Sequence, residues 1–148
     1  MALLDIGCGW GYLLIEAAKK YGVKGVGITL SAEQCAEFRH RIQAEGLEDS
    51  LKAELMDYRD LPKSGYTFDR VVSVGMLEHV GRPNYQLFVD CVNDVLKDGG
   101  IFLLHFISAL KEHPGIRGLK IYLSRRYGAK SQGNALLPFG RQFPHAGR

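Results

Sequence analysis

No stretch of this sequence approaches the roughly 20 consecutive apolar residues that a bilayer-spanning helix needs. No charged-then-apolar leader precedes its first strand-like run either. The expected location is the cytoplasm, with any membrane contact peripheral and at the inner face. Cysteine is scarce: Cys8, Cys35 and Cys91 are odd in number and show neither CxxC nor Cys/His spacing. That pattern gives no disulfide framework and no metal site, and the three read as reduced thiols in small core positions. Internal repeats and low-complexity tracts are also missing, which excludes a solenoid. What remains is ordinary: 148 residues, 46% hydrophobic and 24% charged, the make-up of one globular domain able to bury a core.

A strong surplus of one charge is lacking overall, since the net charge is +3, but the halves differ. Residues 1–107 carry 11 basic and 15 acidic side chains, whereas 108–148 carry 8 basic and 1 acidic. Positive charge confined to a tail argues against a nucleic-acid enzyme; the tail reads first as a solvated or poorly folded end, with an electrostatic touch on anionic lipid as the alternative.

Leu3, Leu4 and Ile6 form a short apolar run that stops at Gly7, as a buried parallel strand does. A helical pattern follows through Leu13, Leu14, Ala17, Ala18 and Tyr21, and Gly22 ends it. Residues 23–30 read as a second strand. Ser31 with Gln34 three residues on is a capping-box pattern opening a helix to about Glu45. Residues 51–56 read as a third strand, with Lys52 and Glu54 pointing outward as at a sheet edge, and 60–65 as loop. A fourth strand is expected over 68–74. A helix over 85–96 places Leu87, Phe88, Cys91, Val92, Val95 and Leu96 on one side. Residues 97–100 read as a turn and 101–107 as a fifth strand. Alternating strands and helices, with strands too apolar to face water, predict an α/β fold: a doubly wound, Rossmann-like parallel sheet. Its ligands are expected outside the carboxyl ends of the strands. Beyond 107 only 121–123 is strand-like, so the domain division is a core over 1–107 and a basic, poorly patterned segment over 108–148.

The first turn reads Asp5-x-Gly7-x-Gly9-x-Gly11. Glycines allow a sharp backbone turn and close approach to a ligand, and the helix that follows offers unpaired N–H groups. Glycines at i, i+2 and i+4 differ from the G-x-G-x-x-G of dinucleotide folds, and no carboxylate ends strand two, so a dehydrogenase is disfavoured. The spacing resembles the class I methyltransferase signature, whose loop wraps the methionine part of S-adenosylmethionine (SAM). Where such enzymes carry a ribose-binding carboxylate, this chain has residues 29–34. Gln34 is placed to bind the ribose, to serve the helix cap, or to do both. Asp57 and Tyr58 follow strand three, where an aromatic covers an adenine and a carboxylate either binds its amine or caps the loop.

Five segments together, 4–11, 27–34, 57–61, 73–81 and 103–107, resemble the cyclopropane fatty acyl phospholipid synthases and their mycolic acid relatives. The Glu78-His79-Val80-Gly81 element is specific to that family among methyltransferases. The resemblance implies methylene transfer from SAM to the cis double bond of an unsaturated phospholipid acyl chain. It implies a cofactor set of Asp5, Gly7, Cys8, Gly9, Gly11, Thr29, Leu30, Gln34, Asp57 and Tyr58. It also implies a bound bicarbonate as base, held by Glu78, His105 and the backbone N–H of Ile107, with His79 orienting the Glu78 loop and no metal. Family members carry a lid before the glycine loop and further strands after the fifth. The expectation here is thus a member truncated at both ends, with an open site and an unprotected sheet edge that favours a homodimer. Competing readings are a methyltransferase for a small molecule and a SAM-binding remnant without catalysis. An Asn/Asp-Pro-Pro-Tyr-type loop is missing after strand four, which further disfavours nucleic acid as substrate.

Overall fold

The computed structural model describes residues 1–107. The basic segment 108–148, with the strand-like 121–123, lies outside the described residues. Five strands form: β1 (Ala2–Ile6), β2 (Lys24–Thr29), β3 (Leu51–Leu55), β4 (Phe68–Val74) and β5 (Leu96–His105). All pair in parallel, in the order β3-β2-β1-β4-β5. Helices α1 (Tyr12–Tyr21), α2 (Ala32–Ala44), α3 (Leu77–Val80) and α4 (Tyr85–Val95) connect them, with short 3-10 turns at Tyr58–Lys63 and Arg82–Asn84. Order 3-2-1-4-5 with right-handed crossovers reverses direction at β1, so α1 and α2 cover one face of the sheet and α4 the other, which is the doubly wound arrangement.

Side chains alternate across a strand, and here both faces are dry. Leu3 and Val72 join the core under α1 and α2, whereas their neighbours Leu4 and Val71 join the core under α4. Two buried faces explain why these strands read as unbroken apolar runs. The second core centres on Phe88, fully buried, with the Tyr58 ring edge-on at 5.2 Å and Phe102 at 6.1 Å.

Several expectations shift in the structure. Leu87 sits outside the buried face of α4, at 45% exposure, because only Phe88, Cys91, Val92 and Val95 turn inward. Tyr21, the last residue of α1, is likewise exposed. Residues 97–100, expected as a free turn, lie within β5 as an irregularity: Phe68 pairs with Leu96, but Arg70 pairs with Ile101. Gly99 at φ 74° carries that excursion. The loop expected at 60–65 is largely a 3-10 turn.

The two sheet edges differ. On β3, Arg39 Nε donates to the Ala53 carbonyl at 3.0 Å. On β5, Ile101 and Leu103 stand exposed at 57% and 58% on the face opposite α4. Among the described residues no helix is long and apolar enough to cross a membrane.

Neighbouring positions on α4 give a direct check of this core. Phe88→Ala is expected to lower the free energy of unfolding in urea by about 3–5 kcal/mol, and Leu87→Ser to change it by less than about 0.5 kcal/mol. Equal losses for the two would show that α4 is rotated relative to the sheet.

Candidate cofactor and catalytic site

β1 ends at Ile6, and the chain then turns over the sheet's carboxyl edge through Gly7, Gly9 and Gly11, at φ 79°, 55° and 80°. The i, i+2, i+4 spacing is therefore a backbone requirement, since side-chain-bearing residues rarely adopt these angles. The N–H groups of Gly7 and Cys8 both donate to the Ile28 carbonyl, at 2.9 and 3.0 Å, and tie the loop to the end of β2. Gly11 opens α1 with no side-chain cap, so the helix N-terminus faces the loop with its first-turn N–H groups uncapped by any side chain.

A cavity of about 370 Å³ lies beside this loop, within the size range of small-molecule sites. Of the residues predicted from sequence, Gly7, Gly9, Thr29, Leu30, Gln34 and Tyr58 line it. Asp5, Cys8, Gly11 and Asp57 do not. Cys8 turns its thiol into the core, where burial above all, and then Asp5, push its pKa up to about 12. It is inert as a nucleophile, and only its backbone shapes the loop. Asp57 is committed elsewhere: its carboxylate accepts from the Arg59 N–H and Nε at 2.9 Å and from Nη2 at 2.5 Å. Arg59 thereby holds the Asp57 carboxyl below the usual carboxylate range. The cap is the role seen at Asp57, and Tyr58 alone of that pair reaches the cavity.

At the β2–α2 turn, Ser31 Oγ accepts the Gln34 N–H at 3.2 Å, one half of a capping box. The other half is missing. The Gln34 side-chain oxygen instead accepts the Thr29 hydroxyl at 2.9 Å, and the Ser31 N–H goes to Thr29 Oγ1 at 3.2 Å. The Gln34 Nε2 takes no partner among the described residues and remains the group it offers to a ligand.

Met56, Met76, His79 and Val80 also line the cavity, and sequence reasoning did not place them there. Their signal was position: Met56 follows β3 and the other three follow β4, at the carboxyl ends where ligands bind. His79, expected to orient the Glu78 loop, is also among the residues that line the cavity.

The loops after β4 and β5 are stitched together. Gly75 N–H donates to the His105 carbonyl at 3.0 Å, and Ile107 N–H donates to Glu78 Oε1 at 2.6 Å. The second bond, more than any other influence, lowers the Glu78 pKa, with His79 and His105 adding smaller effects in the same direction. Glu78 and the Ile107 N–H thus meet, with His105 close enough to act on the Glu78 carboxylate. The Ile107 N–H, however, is already engaged by Glu78.

Beneath the loop, Asp5 is only 3% exposed, and burial raises its carboxyl pKa from 3.8 to about 7. A cation bound above it would favour the ionised form.

The family described as mycolic acid cyclopropane synthetase matches residues 1–127. A probable fatty acid methyltransferase of Pseudomonas putida is 50% identical over 107 residues, 72% of this chain and 27% of that protein. The cyclopropane-fatty-acyl-phospholipid synthase of Escherichia coli (strain K12) is 50% identical over 111 residues, 75% of this chain and 27% of that protein. The chain therefore spans about a quarter of the length of these relatives. Among solved structures, the mycolic acid cyclopropane synthase CmaA1 complexed with SAH and CTAB superposes with a TM-score of 0.65 at 34% identity, over 70% of this chain and 35% of that one.

Asp5 sets a pH dependence whose sign follows from its raised pKa. The folded chain holds a proton there that the unfolded chain releases above 3.8, so this contribution to stability is complete below about pH 4. It declines as pH rises toward about 7, by at most about 1.4 kcal/mol per pH unit, and is gone above that. Asp5→Asn, compared with the parent chain in urea at pH 5 and pH 8, should gain relative stability at the higher pH. Parallel pH profiles for the two chains would remove Asp5 as the cause.

Proposed function

The chain belongs to the mycolic acid cyclopropane synthetase family, and on that premise we propose that its cavity binds S-adenosylmethionine as the first step of methylene transfer to the cis double bond of unsaturated phospholipid acyl chains. The observation that carries the cofactor assignment is the glycine loop. Gly9 faces the cavity, and a Cβ built on it would meet no protein atom within 4 Å, so the space above it is free for a ligand's close approach. Thr29 and Gln34 supply polar contacts at the end of β2, and Leu30, Met56 and Tyr58 supply apolar and aromatic walls for an adenine. Asp5 beneath the loop complements a cationic ligand. SAM supplies the electrophilic methyl group; the protein's tasks are to orient it, exclude water and accept a proton.

For the proton, Glu78 is the group in position. Its pKa lies below the ordinary value, chiefly through the Ile107 N–H, and it sits at the meeting point of the β4 and β5 loops beside His105. The proposed roles are acceptor for Glu78, electrostatic partner for His105, and anchor of the carboxylate for the Ile107 N–H. Bicarbonate would have to draw the Ile107 N–H expected to hold it away from Glu78, to which it is donated.

A second reading has its own support. Ile107 is 80% exposed, so the proposed proton acceptor lies open to water, and a developing cation there would be poorly protected. Under that reading the chain binds SAM without turning substrate over. A small-molecule methyltransferase is the remaining enzymatic alternative. The proposed setting is cytoplasmic, with peripheral contact at the membrane face that holds the substrate, no nucleic-acid partner, and a homodimer formed through β5.

Calorimetric titration of the chain with SAM and with its demethylated product decides the cofactor assignment. Micromolar binding, abolished by Gly9→Val, is the expected result. Equal binding by Gly9→Val would move the ligand away from the loop. Chain that binds is then offered vesicles of monounsaturated phospholipid, and the fatty acids are analysed by mass spectrometry. A gain of 14 mass units that Glu78→Gln abolishes is expected for the transferase, whereas binding without any gain selects the second reading.

A further inference from the structure

Phe38 is fully buried on the inner face of α2, one turn beyond Gln34. Its ring fills the room that two missing side chains leave. A Cβ on Gly11 would overlap the ring, and a Cβ on Gly27 of β2 would lie 2.7 Å from Phe38 Cε1 and 2.9 Å from Cys8 Sγ. The opposite side of the loop is different, since the space above Gly9 is open. The loop thus has a packed underside at Gly11 and an unobstructed top at Gly9, with two backbone bonds to Ile28 at its leading end.

We propose that Phe38 is a positioning residue of the cofactor site: its ring, wedged between Gly11 and Gly27, sets the height of the Gly9–Gly11 segment above the end of β1. The same helix carries Gln34 at i−4, so one rigid element fixes both the loop and the polar group at the end of β2. A close-packed interior transmits such a constraint because the ring cannot shift without opening a void. Removing the ring leaves space into which the loop settles, and its ligand contacts move with it. The inference rests on the cavity being the SAM site, yet its structural half concerns the ligand-free loop and is measurable without any ligand.

Trp10, the only tryptophan in the sequence, lies within that segment at 43% exposure and serves as its reporter. The experiment compares the parent chain with Phe38→Ala and Phe38→Leu, well below each variant's unfolding temperature. It reads SAM affinity by calorimetry and Trp10 accessibility by acrylamide quenching in the ligand-free chain. Phe38→Ala is expected to weaken SAM binding about tenfold to a hundredfold and to change Trp10 quenching, with Phe38→Leu restoring part of both. If Phe38→Ala fails to fold, Phe38→Leu carries the comparison. A variant with native circular dichroism, lower unfolding temperature, unchanged SAM affinity and unchanged Trp10 quenching would make Phe38 an ordinary core residue and overturn the proposal. Absence of SAM binding in the parent chain would count against the cofactor assignment, and the ligand-free quenching comparison would still decide the wedge.

Discussion

Two backbone donors on one carbonyl hold this molecule's working edge together. Gly7 and Cys8 both give their N–H groups to Ile28, so the chain leaving β1 cannot rise from the sheet before it has crossed to β2. That pinning forces the turn through positive φ at Gly7, Gly9 and Gly11. It also starts α1 directly over the sheet and brings the β2–α2 turn, with Thr29 and Gln34, against the same cavity. The paired β1 and β2 strands fix the spacing between those two elements to within a hydrogen bond.

The second half of the site depends on a different pair of bonds. β4 and β5 run in register as far as Val74 and His105, and the loops beyond are joined by the Gly75 and Ile107 N–H groups. A carboxylate that accepts a backbone N–H stays ionised at neutral pH, so Glu78 is held in the form that accepts a proton. Asp5 is in the reverse situation. Buried, and with no basic group acting on it among the described residues, it keeps its proton until nearly neutral pH. Two carboxyl groups near the carboxyl edge of the sheet are thus driven in opposite directions by their surroundings.

Much of this was legible in the sequence because its causes are local. Strands buried on both faces must be apolar throughout, and Leu3-Leu4 and Val71-Val72 supply one side chain to each core. The glycine loop shows its conformation through its spacing, and Gly22 shows the end of α1. What could not be read depends on partners distant in sequence or on competition between neighbours. Gln34 could have bonded back to Ser31; Thr29, five residues upstream, takes its side-chain oxygen instead. Asp57 could have faced a ligand, but Arg59 two residues on captures it in three bonds. Met56 and Met76 look like any core methionines until the fold carries the ends of β3 and β4 to one cavity. Residues 97–100 have turn chemistry, yet pairing with β4 on both sides draws them into the strand.

The unlike edges of the sheet bear on how far copies of this chain could assemble. A strand edge is a template that accepts another strand, and a molecule with two open edges polymerises without limit. Here the β3 edge has Arg39 folded over the Ala53 carbonyl, while β5 presents its apolar face with Ile101 and Leu103. Ala53 pairs with Gly27 on one side of β3, and on its other side the arginine occupies an acceptor that a further strand would need. Arg39 thus fills, from within the same chain, a place that a neighbouring strand's N–H would otherwise take.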